Sequence, residues 1–191
     1  MKILVIDDSE GNQKSARKTL KGHEVTIAKS FDEAVVLMGG RVEKHQGSGG
    51  EEYEQLDGIA AASGVSFPYK VVLTDMNLPF SRFRLSFEAR TKAENVHAEP
   101  PYGFILALRA VQLGAKFVAM ATNINHHQDP LSAAIEVLGG AAYWSEVEKG
   151  KGHAFRIDGA KVMFVHAPLL EEESESPAKD WGRILKKLIA D

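Results

Sequence analysis

The chain contains no cysteine, which excludes disulfides, thiolate catalysis and cysteine-ligated zinc and is compatible with a reducing compartment. It also lacks a surplus of either charge. With 23 Lys and Arg against 26 Asp and Glu, the formal net charge is −3, so no extended basic surface is available to nucleic acid, and direct binding to it is not expected. Long apolar runs are missing as well. Met1 and Lys2 lead straight into a short strand, with neither the apolar segment of a signal peptide nor a spanning stretch. The expectation is a cytoplasmic protein with no membrane partner. No internal repeat is evident. What is present is 191 residues, 44% of them hydrophobic, enough to bury a full core as one elaborated domain over 1–191.

Three segments carry most of the information: Ile3-Leu4-Val5-Ile6-Asp7-Asp8-Ser9, Val71-Val72-Leu73-Thr74-Asp75-Met76-Asn77-Leu78-Pro79 and Phe117-Val118-Ala119-Met120-Ala121-Thr122-Asn123. Each is an apolar run, as in a strand buried on both faces, that ends in acid or hydroxyl residues. Between them the pattern alternates strand and helix. A helix is expected from Ser9 to about Lys21 and a strand over 23–28. A second helix follows, capped by Ser30 with Glu33 three residues on and stopped at Gly39-Gly40. After a third strand over 69–74 come a helix from Tyr102 to about Leu113, a strand over 116–121 and a helix from near Pro130. Residues 155–165 read as a hairpin on an Asp158-Gly159 turn whose second arm is the fifth parallel strand, the alternative being Ala141 to Ser145. An amphipathic helix over 178–190 closes the chain. Three stretches interrupt the alternation: about 41–66, with Leu56 to Ala62 as one short helix, 80–101, whose Phe80, Phe83 and Phe87 suggest a docked loop, and about 145–160.

This alternation predicts an α/β, doubly wound parallel sheet, in which strand ends gather along one edge. Asp7, Asp8, Asp75 and Thr122 then form one polar cluster. Such a cluster suits transfer of a phosphoryl group to a carboxylate, which needs a nucleophile, a divalent cation and a donor to the product phosphate. Asp75 is the nucleophile in this reading. Asp7 and Asp8 hold Mg²⁺ or Mn²⁺ partly through water, Asp75 and the Asn77 backbone carbonyl add ligands, and Thr122 supplies the hydroxyl donor. Crowded carboxylates repel, so without metal at least one pKa should rise and bound cation should stabilise the fold. Taken singly, each acid has a plain structural account: Asp75 caps a turn, and Asp7 and Asp8 favour a helix start. Their coincidence at three strand ends favours the site.

Val5-Ile6-Asp7-Asp8-Ser9, Leu73-Thr74-Asp75-Met76-Asn77-Leu78-Pro79, Met120-Ala121-Thr122 and Phe164-Val165-His166-Ala167-Pro168 resemble the marker segments of response-regulator receiver domains, of the chemotaxis-type single-domain kind. The resemblance implies a five-stranded (βα)₅ sheet of order 2-1-3-4-5, a topology for which the chemotaxis regulator is a standard example. It implies Asp75 as phosphoacceptor, Asp7 and Asp8 as the Mg²⁺ pair, Thr122 as switch hydroxyl and Phe164 as switch aromatic. It also implies a histidine kinase or small-molecule phosphodonor, a downstream partner protein, and enzymatic activity limited to self-phosphorylation and autodephosphorylation. Two departures stand out. Receivers place a lysine just before the proline that follows strand five, and here Ala167 occupies that position, so a fixed positive charge is expected to be missing. The residue after Thr122 is Asn123 rather than a small one. His166 is the candidate substitute for the lysine, and His126 and His127, on the loop after Thr122, are further candidates as charge or metal ligand, although adjacent histidines match no standard zinc spacing. Other readings are a degenerate receiver acting as a phosphate-independent interaction module, favoured by the missing lysine, and a metal-dependent phosphohydrolase. A haloacid-dehalogenase-like hydrolase fits less well, because Ser9 stands where its general acid belongs.

Overall fold

Strands that are apolar on both faces can only sit between two layers of helix, and the apolar runs at 3–6, 71–74 and 117–121 take that position. The computed structural model describes residues 1–57, 67–83, 91–92, 99–124, 130–138, 143–150, 154–170 and 177–190. Its strands are β1 (Lys2–Ile6), β2 (Glu24–Ala28), β3 (Arg41–Gln46), β4 (Glu52–Asp57), β5 (Val71–Asp75), β6 (Phe117–Thr122), β7 (Ala154–Ile157) and β8 (Ala160–His166). Its helices are α1 (Glu10–Thr19), α2 (Phe31–Leu37), α3 (Tyr102–Gln112), α4 (Pro130–Ala134, continued as a 3₁₀ turn over Ile135–Leu138), α5 (Trp144–Glu148) and α6 (Trp181–Ala190). Among the described residues, no helix is long and apolar enough to cross a membrane.

The main sheet runs β2-β1-β5-β6-β8-β7. Its first five strands are parallel and follow the expected 2-1-3-4-5 order. The expected five-stranded sheet has a sixth member, because the first arm of the hairpin, β7, pairs antiparallel with β8 and extends the edge. Its turn, Asp158 at φ 49° and Gly159 at φ 79°, has the two left-handed residues that a tight right-twisted hairpin demands. The alternative place for the fifth strand is corrected: Trp144 and Ser145 begin α5.

A second correction concerns the first insertion. Leu56 and Asp57 belong to a two-stranded antiparallel ribbon, β3–β4, and not to a short helix; 58–62 lie outside the described residues. Leu56 is fully buried, with Gln55 before it exposed and Asp57 after it half-buried, and His45 stacks on its cross-strand partner Tyr53 at 5.6 Å. The second insertion is docked where it is described. Ser81 Oγ and the Arg82 amide both donate to the buried Asp32 carboxylate of α2, and Leu78 N donates to Pro100 O at 3.2 Å where the segment returns.

Side-chain alternation divides the core in two. Leu4, Ile6, Val72, Met120 and Phe164 face α2 and α3, whereas Ile3, Val5, Val71, Leu73 and Val165 face α1 and α6 with Trp181, Ile184 and Leu188. Glycine permits two close approaches that matter for the site. A Cβ on Gly103 would stand 1.7 Å from the Asp75 carbonyl oxygen, so the first turn of α3 rests on the backbone of Asp75, with Gly103 N donating to Met76 O. A Cβ on Gly182 would stand 2.6 Å from Thr19 O, and Gly182 N donates to Thr19 Oγ1, which seats α6 against α1.

Candidate functional site

The carboxyl ends of β1 and β5 are adjacent, with Ile6 opposite Thr74, so the next residues along each strand, Asp7 and Asp75, emerge side by side. By the period-2 alternation both belong to the face covered by α1 and α6. Asp7, Asp8 and Asp75 each offer an oxygen, all within 4.8 Å of one another. Three hard oxygen donors of this kind fit a small divalent cation such as Mg²⁺.

Asp7 is wholly buried and held by a shell from the first turn of α1. Its oxygens accept from Ser9 N and from Asn12 Nδ2, each at 3.0 Å. Gln13 Nε2 donates to the carbonyls of Asp7 at 2.9 Å and Asp8 at 3.1 Å. Asp75 Oδ1 accepts from Met76 N at 2.6 Å. The Asn77 carbonyl follows two residues on and accepts no hydrogen bond among the described residues.

The cation expected to be missing is present. Lys179 Nζ lies 2.7 Å from Asp75 Oδ2 and 3.1 Å from Asp7 Oδ2, with its side chain entirely buried. It lies beyond Pro168, the proline that follows β8, and just before α6. Leu169 and Lys179 form an antiparallel bridge, Leu170 N donates to Ala178 O and Asp180 N to Pro168 O. Lys179 is therefore brought back beside Pro168. Asn12 Oδ1 accepts from Lys179 N, Ser15 Oγ donates to Lys179 O, and the ammonium stands 5.4 Å from the Trp181 ring. Position-by-position counting after strand five missed it. The signal in the sequence was a lone lysine just before an amphipathic helix rich in apolar residues.

The electrostatics follow from this packing. Burial pushes the Asp75 carboxyl up from 3.8 to about 6, against the pull of Lys179 and with the help of the Asp7 charge. Burial also raises Asp8, a backbone hydrogen bond opposes it, and Asp7 adds to the rise. A fourth carboxylate, Glu99, reaches the same field. Burial raises it first, then the charges of Asp8 and Asp7, with Lys179 opposing. Glu99 was not singled out in the sequence, because only the return of the second insertion at Pro100 brings it here.

Of the remaining candidates, one stands at the same strand edge. Thr122 is buried at the end of β6, one residue past the partner of Asp75, and its Oγ1 accepts from Ile124 N at 3.0 Å. Phe164 is buried between Phe104 and Phe155, each ring centroid 5.3 Å away. His166 is in register with Thr122, and its Nε2 is 3.1 Å from Ser132 Oγ of α4. It stands on the α2–α3 face by alternation with Phe164, whereas the carboxylates face α1 and α6, and the charge there is Lys179. His126 and His127 lie outside the described residues.

No family model matches the chain, and no curated protein matches it. Among solved structures it is similar to the N-terminal domain of a response regulator/sensory box/GGDEF 3-domain protein from Carboxydothermus hydrogenoformans, at 21% identity and a TM-score of 0.36. That match covers 65% of this chain and 66% of the other, just under two thirds of its length.

Proposed function

We propose that the chain forms a receiver-like signalling domain that binds Mg²⁺ or Mn²⁺ and accepts a phosphoryl group on Asp75 from a histidine kinase or a small phosphodonor. The observation that carries this reading is Lys179, whose ammonium bridges Asp7 and Asp75 at the sheet edge. A buried cation between two carboxylates, one of them partly open, is the arrangement that a transferred phosphoryl group requires.

In this mechanism Asp7, Asp8, Asp75 and the Asn77 carbonyl would hold a divalent ion, which when bound would supply positive charge to the phosphoryl oxygens. An Asp75 oxygen forms the new O–P bond. The donor's P–N or P–O bond breaks, and its electron pair leaves with the departing group. Met76 N fixes one Asp75 oxygen, and Lys179 passes from the carboxylate to the new phosphoryl oxygens. The Thr122 oxygen already accepts from Ile124 N, which leaves its proton to donate to the phosphate. The added charge is then read by a downstream protein through rearrangement around Thr122 and Phe164. Attack of water on phosphorus restores the carboxylate. The phosphate-independent interaction module was favoured by a missing cation, and Lys179 takes that support away. Nothing described favours a phosphohydrolase over an acceptor.

The test is intact-protein mass after incubation with acetyl phosphate or a phosphoramidate, with and without Mg²⁺, for wild type beside Asp75→Asn. A metal-dependent phosphate adduct confined to the wild type is expected. No adduct from either donor, or an undiminished adduct in the variant, overturns the assignment.

A further inference from the structure

At the opposite end of the sheet the strands begin with cations. Lys70 and Lys116 immediately precede β5 and β6, and Lys161 is the second residue of β8. Their backbones are joined in a row, Lys116 N donating to Lys70 O at 3.0 Å and Lys161 N to Lys116 O at 2.9 Å. Arg156 of β7 pairs in register with Lys161. These four residues, with Phe117, Gly159 and Ile189, line a cavity of about 410 Å³.

Among the described residues these charges, on Lys70, Lys116, Arg156 and Lys161, are paired with no acid. Lys161 is 8% exposed, and its Nζ is buried with no hydrogen-bond partner. By contrast, Lys2, next along the same edge, pairs with Glu24. A buried ammonium without a partner is costly, and an anion bound beside it would offset that cost. Lys161 and His166 are five residues apart on β8, so at about 3.3 Å per residue the cavity lies roughly 16 Å from the carboxylate edge. It is a separate site.

We infer that this cavity binds a small phosphate-bearing anion. Four cations without an acid among them suit a ligand with two or more negative charges, and the arginine fork and ammonium groups suit phosphate oxygens. The volume falls within the range of small-molecule pockets, and Phe117 and Ile189 give an apolar flank for an organic group on the phosphate. Nothing in this inference depends on phosphorylation of Asp75.

The experiment is isothermal titration of the full chain with inorganic pyrophosphate and with adenosine diphosphate, in buffer containing a chelator. Wild type is compared with Lys161→Met, Arg156→Gln and Asp75→Asn. Saturable 1:1 binding is expected for both probes, weakened at least tenfold by Lys161→Met and severalfold by Arg156→Gln, and unchanged by Asp75→Asn. Tighter binding of the nucleotide than of pyrophosphate assigns a share to the apolar flank; equal binding assigns recognition to phosphate alone. A thermal scan guards against misfolding of the buried variant: Lys161→Met should melt at or above the wild-type temperature and lose the upward shift that pyrophosphate gives the wild type. Absence of saturable binding at millimolar probe, affinity unchanged in Lys161→Met, or binding abolished by Asp75→Asn overturns the site.

Discussion

Replacing Asp75 with asparagine should stabilise the metal-free protein at neutral pH, and the size of the gain can be worked from the site. Burial raises the Asp75 carboxyl from 3.8 to about 6, so the ionised form is the one the fold disfavours. Between those two values the folded chain keeps a proton that the unfolded chain has released, and stability falls as pH rises through the window. At 1.36 kcal/mol per pH unit the full penalty, reached above about pH 6, is roughly 3 kcal/mol. Asparagine keeps the shape and removes the charge, so Asp75→Asn should recover most of that at pH 7 and almost nothing near pH 4. For a chain of this length the gain corresponds to roughly 6–12 °C in melting temperature. The assay is urea or thermal unfolding with a chelator at both pH values, repeated at pH 7 with excess Mg²⁺. Metal should raise the wild type and narrow the gap, because a ligand that binds only the folded state adds to its stability. A variant less stable than wild type at pH 7, or equally stabilised at pH 4 and pH 7, would show that Asp75 is not held ionised against its surroundings.

Lys179→Met should act in the opposite direction. It leaves Asp7 and Asp75 buried beside each other without their shared cation, a loss on the order of 3–5 kcal/mol, and adding Asp75→Asn should restore part of it; unfolding of the single and double variants measures this, and an additive double variant refutes the pairing. Gly103→Ala forces a methyl group into the Asp75 carbonyl. The backbone at the end of β5 or the start of α3 must move, at a cost of roughly 1–3 kcal/mol, and the acetyl phosphate adduct should fall with it. Wild-type stability and labelling in that variant would mean that the α3–β5 contact does not position the nucleophile.

The sheet was legible because its evidence is local. Apolar runs at 3–6, 71–74 and 117–121 with polar ends identify buried parallel strands, and Ser30 with Glu33 identifies a helix start that the structure keeps, Ser30 Oγ accepting from Glu33 N. The ribbon β3–β4 was missed because its strands are mostly exposed and show one buried side chain, Leu56, too little for a period to register. The hairpin turn could be read, but whether its first arm joins the sheet depends on pairing with β8, which no local pattern encodes. At the candidate site, acids at strand ends follow from strand position alone. Lys179, Asn12 and Glu99 do not, since each depends on where a helix face or an inserted segment comes to rest. His166 drew attention by proximity in sequence, and the alternation of β8 directs it towards α4.

The contact between Lys179 and Asp7 spans 172 positions of the chain, and this bears on the order of assembly. Synthesis delivers Asp7, Asp8 and Asp75 long before the residue that neutralises them. Until 179 docks, Asp7 and Asp75 lack the ammonium that joins them in the folded chain. The closing helix then does two things in one step: Trp181, Ile184 and Leu188 cover the apolar face of the sheet, and Lys179 balances its charge. Contacts this distant in sequence must first meet a loop-closure cost, so the candidate site should be complete only once α6 has docked.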